Sequence, residues 1–340
     1  MGLNPETLSA GGTAGHRAYY GNIVIDYLRL SLTDRCSFNC IYCTPLEKNG
    51  FLPHADLLRH EELTRAAAAF VRAGVKKIRL TGGEPLIKKN VVELVRMVRA
   101  IPGLQELTLT TNGLLLGELA AGLRAAGLDR VNISLNSLSP KTFKEITGYD
   151  GLARVLDGVT SSLAAGFTRV KLNVIIMKGV NEAEVADFAR MSVERPLDVR
   201  FIEFFPANRR SSRLSDALFT TAEAREKIEA AFGPLAQVHT SASDGPARVY
   251  TLAGAKGRIG FISSRSDNFC GACNRMRMDC TGKIYPCLFS PSTHSLRCLL
   301  RAGADDAALT DYVKKIFLVK SEYKKDSASA GHIEMSSLGG

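Results

Sequence analysis

Three cysteines near the start of the chain have the residue type and spacing of a metal-cluster site. They form the pattern Cys36-x3-Cys40-x2-Cys43. Each iron of a cubane iron–sulfur cluster takes one external ligand, usually a Cys thiolate. Three thiolates therefore leave one iron open to bind a small molecule and to deliver an electron to it. A zinc site is the alternative, with His54 or His60 as the fourth ligand.

A second cysteine group lies near the end of the chain, and its members are Cys270, Cys273, Cys280, Cys287 and Cys298. The pattern Cys270-x2-Cys273-x13-Cys287 again offers three thiolates. In a reducing compartment such groups indicate metal ligands rather than disulfides. A zinc ribbon completed by Cys280 or Cys298 is the alternative to an iron–sulfur cluster.

Two arginines follow Cys273 of this group, in the order Cys273-Asn274-Arg275-Met276-Arg277. A guanidinium group offers a planar fork of hydrogen-bond donors. Two such forks beside a metal suit an electron-rich ligand better than a purely structural zinc site. The pair therefore favours a substrate-binding role for this segment.

The composition limits the classes of protein to which the chain can belong. Its 340 residues, 45% of them hydrophobic, suffice for a large folded core. No run approaches the roughly 20 apolar residues of a membrane helix, and the N-terminus lacks the features of a secretory signal. We therefore expect a cytoplasmic protein with no membrane association. The net charge of +10 is scattered along the chain, which indicates a basic surface or a small anionic ligand rather than nucleic acid.

The elements that position these residues alternate between strands and helices over the first two thirds of the chain. The predicted strands are Tyr27–Leu32, Lys77–Thr81, Glu106–Thr111, Arg130–Leu135, Arg169–Ile176 and Asp198–Phe204. Helical patterns such as EELTRAAAAFVRAG and LARVLDGVTSSLAAG lie between them. This repetition is typical of a parallel sheet in an α/β fold.

Each predicted strand has one apolar and one polar face. Side chains alternate between the two faces of a strand, so Leu28 and Leu30 share one face, whereas Arg29 and Ser31 share the other. A flat sheet covered by helices on both faces would be apolar at nearly every position. We therefore predict an incomplete (β/α)6 TIM-like barrel, with helices outside and a polar cavity inside. An open sheet with one solvent-facing side is the alternative. The inward cations Arg29, Arg79, Lys171 and Arg200 suit an anionic ligand.

The strand–helix repeat ends near residue 205, which suggests three parts of the chain. We predict a mobile N-terminal arm over residues 1–23, the partial barrel over residues 24–220, and a C-terminal extension over residues 221–340 that carries the second cysteine group. The segment ANRRSSRLSD is interpreted as a linker or loop, and helices are predicted at Thr221–Phe232 and in DDAALTDYVKKIFL.

The segments that follow the first and second predicted strands carry motifs that resemble those of the radical S-adenosylmethionine (SAM) family. These are the first cysteine group, with Tyr42 before its last cysteine, and the run Thr81-Gly82-Gly83-Glu84-Pro85. The resemblance implies that a [4Fe–4S] cluster on Cys36, Cys40 and Cys43 binds SAM at its open iron. Reduction then cleaves SAM to methionine and a 5′-deoxyadenosyl radical, which abstracts hydrogen from a substrate.

The chain also resembles one branch of that family, the GTP 3′,8-cyclases of molybdenum cofactor biosynthesis. The resemblance covers about Tyr27 to Gly340 and includes LRLSLTDRC, KKIRLTGGEPL, LTTNG, RVNISLNS, VRFIEF, FCxxCNRxR and the terminal Gly-Gly. It implies lyase activity, in which the radical abstracts hydrogen from C3′ of GTP and the C3′ radical attacks C8. It further implies an electron donor, and a downstream synthase of cyclic pyranopterin monophosphate that takes up the product. A homodimer is compatible with the sequence.

The same resemblance implies a role for each matching position. A second [4Fe–4S] cluster would be held by Cys270, Cys273 and Cys287, and its open iron would bind the guanine of GTP. Residues in contact with SAM would be Tyr42, Gly83, Ser134 and the backbone at Phe205. GTP would be held by Arg29, Lys77, Arg79, Thr110, Lys171, Arg200, Arg275, Met276 and Arg277. Residues that act in catalysis would be Arg275, Arg277, Gly339 and Gly340.

Four positions depart from the family pattern. Thr44 and Phe205 stand where the family usually has Met, and Asn136 replaces a common Asp. Cys280 occupies a position that is usually a small residue without a thiol, and we expect it not to be a ligand. Two other functions remain open on the sequence: a radical SAM enzyme that modifies peptides, and a non-enzymatic zinc protein.

Overall fold

The computed structural model describes residues 19–20, 23–44, 50–206, 208–239, 245–267, 273–288 and 294–320. Its strands are β1 Tyr19–Tyr20, β2 Ile23–Val24, β3 Tyr27–Ser31, β4 Lys77–Thr81, β5 Glu106–Thr111, β6 Arg130–Ser134, β7 Val170–Ile176, β8 Leu197–Glu203, β9 Ala236–Val238, β10 Arg248–Thr251, β11 Arg258–Ile262, β12 Arg275–Met278, β13 Lys283–Tyr285 and β14 His294–Ser295. Its α-helices are α1 His60–Arg72, α2 Val91–Arg99, α3 Leu116–Ala125, α4 Pro140–Thr147, α5 Leu152–Ala164, α6 Val185–Glu194, α7 Arg209–Ser212, α8 Thr221–Phe232, α9 Arg297–Arg301 and α10 Asp306–Lys320. Three short 3-10 helices span His54–Asp56, Pro85–Ile87 and Glu182–Glu184.

The six predicted strands are β3 to β8, and they pair in sequence order as a parallel sheet. Helices α1, α2, α3, α5 and α6 connect them, which confirms the partial TIM-like barrel. The helices predicted at Thr221–Phe232 and near the C-terminal end are α8 and α10. Helix α4, between β6 and α5, was not predicted.

The C-terminal part of the chain extends the sheet at both ends, which the sequence pattern did not predict. β11 pairs in parallel with β8, and β12 pairs in parallel with β3. Antiparallel strands follow on each side, so β14 and β9 are the outer strands of a sheet of 12 strands in the described part of the chain. Cys273 and Cys280, which flank β12, are therefore adjacent to the first barrel strand.

The two faces of the barrel strands differ as their alternation predicts. On the apolar face, Leu28, Ile78 and Leu107 are fully buried and belong to one core with the surrounding helices. On the polar face, Thr108, Asn132 and Lys171 are also buried, so this face does not meet bulk solvent. We call the space on that side of the strands the lumen.

No helix in the described ranges is both long enough and apolar enough to span a membrane. Of the predicted N-terminal arm, residues 1–18 and 21–22 lie outside the described residues, whereas β1 and β2 form an antiparallel pair.

Candidate functional site

A cavity of about 320 Å³ in the lumen brings the two cysteine groups together. It is lined by the whole first group, by Cys273 and Cys287 of the second, and by polar residues at the strand ends between them. The first group follows the C-terminal end of β3, whereas Cys273 precedes the N-terminal end of β12. Because β3 and β12 are parallel, the two groups approach the cavity from opposite ends of the barrel.

The first cysteine loop is held by backbone hydrogen bonds to the C-terminal end of α4. The Asn39 N–H donates to the carbonyl of Thr147 over 2.8 Å, and the Ile41 N–H donates to the carbonyl of Ile146 over 3.0 Å. The Phe38 ring packs against Phe143 at 5.8 Å between ring centroids. The loop therefore presents its cysteines to the cavity from a rigid base.

The donor set suits an iron–sulfur cluster. Cys36, Cys40 and Cys43 line one cavity, and burial raises the pKa of the Cys40 thiol. In the described residues, no three His, Cys, Asp or Glu side chains converge as ligands of a single metal ion. One zinc ion requires such convergence, whereas a cubane binds each thiolate at a different iron.

The turn Gly82-Gly83-Glu84 after β4 packs directly on the start of the cysteine loop. The Gly83 N–H donates to the Thr33 carbonyl over 2.7 Å, and the Glu84 N–H donates to the Arg35 carbonyl over 2.7 Å. A Cβ atom on Gly83 would lie 2.1 Å from the Arg35 carbonyl oxygen. Only glycine allows the two backbones to approach this closely, so this turn and the first cysteine loop form one unit.

Glu84 fixes the same turn from the buried side. Its carboxylate accepts hydrogen bonds from the Thr111 hydroxyl at 2.7 Å and from the Asn112 N–H at 2.6 Å. Burial raises the pKa of Glu84 to about 7. The side chain thus joins the turn after β4 to the end of β5, where both strands border the cavity.

Gly83→Ala is expected to lower the free energy of unfolding by about 1–3 kcal/mol, because the new methyl group meets backbone atoms that cannot yield as a side chain can. Thermal unfolding of the reduced protein measures this effect. Gly122→Ala, in α3, is the matched control, since its Cβ would lie at an ordinary 3.6 Å from Val92 and alanine favours a helix. Equal melting temperatures for Gly83→Ala and the unsubstituted protein would contradict the close approach.

All four residues that the family resemblance assigns to SAM line the cavity: Tyr42, Gly83, Ser134 and Phe205. They come from the cysteine loop, the turn after β4, the end of β6 and the segment after β8. Four separate strand ends thus contribute to one side of the cavity. Their roles toward SAM remain predictions.

The second cysteine group is described in part. Cys273 and Cys287 line the cavity, whereas Cys270 lies outside the described residues, as do Gly339 and Gly340. Although burial raises the pKa of the Cys273 thiol, the charges of Arg275 and Lys320 lower it to about 7. A thiol with this pKa is readily converted to the thiolate that binds iron.

Cys280 and Cys298 are placed away from the cavity lining. Cys280 is buried just beyond the C-terminal end of β12, the end opposite Cys273, and burial raises the pKa of its thiol to about 12. Cys298 is exposed on α9. Neither is among the described residues that line the cavity.

The lumen-facing arginines lie in register on adjacent strands. Arg277 of β12 is level with Arg29 of β3, which is level with Arg79 of β4. Two residues earlier, on the same face, Arg275 is level with Tyr27 and Tyr27 with Lys77. Strand pairing therefore collects five cations around one tyrosine.

These cations are placed at an electrostatic cost. Burial and the charge of Arg275 lower the pKa of Arg277 to about 10, and burial and the charge of Arg277 hold the pKa of Arg29 well below its ordinary value. Buried like charges are stabilised by an anionic ligand. Among the described residues, the buried atoms Arg79 Nε, Asn132 Nδ2 and Asn173 Oδ1 have no hydrogen-bond partner. The lumen is thus suited to a polar anion.

The predicted GTP-binding residues differ in their position relative to the cavity. Thr110, Arg275 and Arg277 line the cavity. Arg29, Lys77, Arg79, Lys171 and Arg200 are on the lumen face but not in that lining; Lys77 Nζ lies 2.9 Å from Glu106 Oε2 and Lys171 Nζ lies 4.0 Å from Asp198 Oδ2. Met276 differs from both sets, because its side chain is fully buried in the core on the opposite face of β12. Only its backbone is available to a ligand.

Several residues of the site could not be recognised in the sequence. The Lys320 ammonium, at the end of α10, donates to the carbonyls of Arg275 at 2.5 Å and Pro286 at 2.8 Å, so it joins the segments that carry Cys273 and Cys287. Glu203 lines the cavity and accepts hydrogen bonds from the N–H groups of Arg265 and Ser266 at 2.8 and 2.9 Å. Neither Lys320 nor Glu203 belongs to a sequence motif that indicates these contacts.

The interpretation of ANRRSSRLSD as a linker or loop is wrong in part. Its residues 209–212 form α7, and the buried Asn208 caps that helix. The Asn208 amide also donates to the carbonyl of Cys43 over 3.0 Å, and Arg210 donates to Asn39 Oδ1 over 2.9 Å. Asn208 and Arg210 therefore attach this segment to the first cysteine loop by hydrogen bonds.

Comparison with known proteins agrees with this geometry. Residues 30–192 match the model of the Radical SAM superfamily, and residues 197–326 match that of Molybdenum Cofactor Synthesis C. A GTP 3′,8-cyclase of Geobacter sulfurreducens is 46% identical over 93% of this chain and 97% of its own length. One from Pelotomaculum thermopropionicum is 44% identical over 88% of this chain and 92% of its own length.

Solved structures support the fold alone. Streptococcus suis SuiB bound to S-adenosylmethionine has a TM-score of 0.59 at 15% identity, over 86% of this chain and 69% of its own. SuiB bound to its precursor peptide SuiA has a TM-score of 0.60 at 14% identity, over 86% of this chain and 68% of its own. On the extent and identity of the sequence matches, this chain belongs to the GTP 3′,8-cyclase family of radical SAM proteins.

Proposed function

We propose that the chain is a GTP 3′,8-cyclase, a lyase that carries out the first step of molybdenum cofactor biosynthesis. The observation that carries this proposal is a cavity lined by the whole first cysteine group and by Cys273 and Cys287 of the second, together with Arg275 and Arg277. One end holds the residues expected to bind SAM, and the other holds the cations expected to bind GTP. Two reactants held in one lumen react as an intramolecular pair, which is a large catalytic advantage.

The residues present fit the proposed cofactors. Cys36, Cys40 and Cys43 would hold one [4Fe–4S] cluster, and Cys273 and Cys287 would hold a second together with Cys270. When bound, the first cluster and SAM would supply the reductive radical chemistry that abstracts hydrogen from C3′ of GTP.

The chain itself supplies placement and shielding. Gly83 and Glu84 fix the turn against which the SAM methionine group would lie, and Arg275 and Arg277 orient an anionic substrate from the opposite end. The buried lumen excludes water from reactive radicals. The proposal includes two partners: an external protein that donates the electron, and a downstream synthase of cyclic pyranopterin monophosphate that takes up the product.

Anaerobic reconstitution tests the cofactors. We expect about eight irons and about eight sulfides per chain, as two four-iron clusters require. Incubation with SAM, dithionite and GTP should then give methionine, 5′-deoxyadenosine and the 3′,8-cyclised nucleotide, all measured by chromatography and mass spectrometry. The control reaction replaces GTP by ATP, which lacks the guanine base.

Two negative results of this experiment can be told apart. Bound zinc without sulfide would overturn the cluster assignment. Cleavage of SAM without the cyclised nucleotide would overturn the substrate assignment while leaving the radical SAM chemistry in place.

A further inference from the structure

Lys320 lies at the C-terminal end of the buried face of α10. Val313, Ile316 and Phe317 precede it on that face and pack into the core, and the helical repeat places Lys320 in line with them. Lys320 is only 7% exposed, whereas Lys315 on the same helix is exposed to solvent. A lysine is rarely buried unless its charge and its donors are satisfied. Contacts beyond α10 must therefore hold the ammonium.

Two main-chain carbonyls satisfy the ammonium. It donates to the carbonyl of Arg275 over 2.5 Å and to the carbonyl of Pro286 over 2.8 Å. The second of these belongs to the peptide group that joins Pro286 to Cys287, and Arg275 is the second residue after Cys273. We call these two hydrogen bonds the Lys320 bridge.

The bridge lies where the pairing of β12 with β13 ends. The last pair of this antiparallel ladder is Arg277 with Tyr285. The next pair would be Met276 with Pro286, but proline has no N–H to donate to a ladder. Beyond Tyr285, therefore, ladder hydrogen bonds do not set the distance between the two segments.

Helix α10 holds the ammonium in a fixed position. The Phe317 ring packs on the Phe70 ring of α1, with 6.0 Å between the ring centroids. At the other end of α10, Arg72 Nη1 lies 3.2 Å from Asp306 Oδ2. Because an ammonium has three donors, it binds both carbonyls at once. The Lys320 bridge thus replaces the missing ladder bonds and sets the spacing of the two segments.

This spacing matters because both segments supply the cavity. Cys273, Arg275 and Cys287 all line it. Ligands of a cluster bind well only when the chain around them holds them near their bound positions.

We propose that Lys320 is a positioning residue for the second cluster, because it holds the segments of Cys273 and Cys287 at the spacing that cluster binding requires. This inference rests on the proposed function, since it assigns a cluster to the second cysteine group. An anchor for α10 alone is the alternative role, and that role would affect stability without distinguishing the two clusters.

The test compares three variants after anaerobic reconstitution with iron and sulfide. Lys320→Met removes the charge and the donors, and we expect it to bind about four irons per chain instead of about eight. The electron paramagnetic resonance signal of the retained cluster should still change when SAM is added, as the first cluster requires. Lys320→Arg keeps a charge and donors and should bind more iron than Lys320→Met. Lys315→Met, on the exposed side of the same helix, is the control and should bind about eight irons.

GTP affinity provides a second comparison of the same variants. The Lys320 bridge also fixes the main chain of Arg275, so Lys320→Met should bind GTP at least about ten-fold more weakly. Full iron content and unchanged GTP affinity in Lys320→Met would overturn the proposal and leave Lys320 as an anchor of α10. An equal loss of both clusters would overturn it as well, because a bridge at the second group leaves the first group intact.

Hydrogen exchange of the iron-free full chain tests the bridge without a cluster. Amides of β12 and β13 should exchange faster in Lys320→Met than in the unsubstituted protein, and Lys320→Arg should restore slow exchange. Amides of β4 to β7 should be unchanged in both variants. Equal exchange of β12 and β13 in Lys320→Met and the unsubstituted protein would refute the bridge. Absence of bound iron and sulfide from the reconstituted, unsubstituted protein would instead refute the proposed function.

Discussion

Cys40→Ala is expected to abolish SAM cleavage and to lower the bound iron from about eight to about four atoms per chain, because a four-iron cluster with two thiolate ligands is not retained. Cys40 is the buried member of the first group, and its loop is fixed to α4 by the hydrogen bonds of Asn39 and Ile41. No other cysteine of the described residues lies on that loop apart from Cys36 and Cys43. Iron analysis and the rate of 5′-deoxyadenosine formation measure the two effects.

Cys298→Ser is the matched control for this substitution. Its thiol is exposed on α9 and outside the cavity lining, so iron content and SAM cleavage should be unchanged. Cys280→Ser asks whether the buried thiol beyond β12 is a ligand, and we expect it to retain all bound iron. Full iron content in Cys40→Ala would exclude the first group as a cluster site.

Arg277→Met is expected to weaken GTP binding by about 30-fold to 1,000-fold, which corresponds to the roughly 2–4 kcal/mol of a buried charge-assisted contact. The same substitution should stabilise the ligand-free protein, since it removes one of several like charges from a buried site. The lowered pKa of Arg277, to about 10, reflects its burial and the nearby Arg275 charge. Equilibrium binding measures the loss of GTP affinity, and thermal unfolding without GTP measures the gain in stability.

Arg277→Lys separates charge from shape, because lysine keeps the charge but lacks the planar fork. We expect it to bind GTP more weakly than the unsubstituted protein and more tightly than Arg277→Met. Arg195→Met, at an exposed arginine just after α6, is the control and should change neither quantity. A loss of stability together with unchanged GTP affinity would show that Arg277 is a structural residue only.

The sequence by itself determined the barrel. Local alternation of apolar and polar residues predicted β3 to β8 to within one residue at each end, because side chains on opposite faces of a strand meet different surroundings. The same alternation placed Arg29, Arg79, Lys171 and Arg200 on the lumen face. Helix α4 was not predicted, because the helix predicted between β6 and β7 was LARVLDGVTSSLAAG, which begins at Leu152, after α4 has ended.

The spacing of the cysteines also determined part of the site without a structure. Cys36, Cys40 and Cys43 are close in the chain, so a short loop is enough to bring them together. The predicted roles of Cys270, Gly339 and Gly340 remain predictions, since those residues lie outside the described part of the chain. The predicted domain boundaries remain predictions too.

Only the tertiary structure decided how the two ends of the chain meet. The parallel pairing of β12 with β3 sets Arg277 level with Arg29, and α10 brings Lys320 to the carbonyls beside Cys273 and Cys287. Asn208 likewise reaches Cys43 across 165 positions of sequence. Such contacts depend on closure of long loops and on packing of the whole sheet, which no local pattern encodes.

The first cysteine motif shows the same division. Its spacing indicated an iron–sulfur site, but the Tyr42 hydroxyl inside the motif accepts a hydrogen bond from Asn136, whose amide is oriented by the Ile175 N–H. Asn136 and Ile175 are distant from the motif in sequence and adjacent to it in the fold. Hydrogen-bond direction is decided by which donors and acceptors the folded chain brings within reach. The sequence therefore determines which ligands are present, and the tertiary structure determines the environment in which they act.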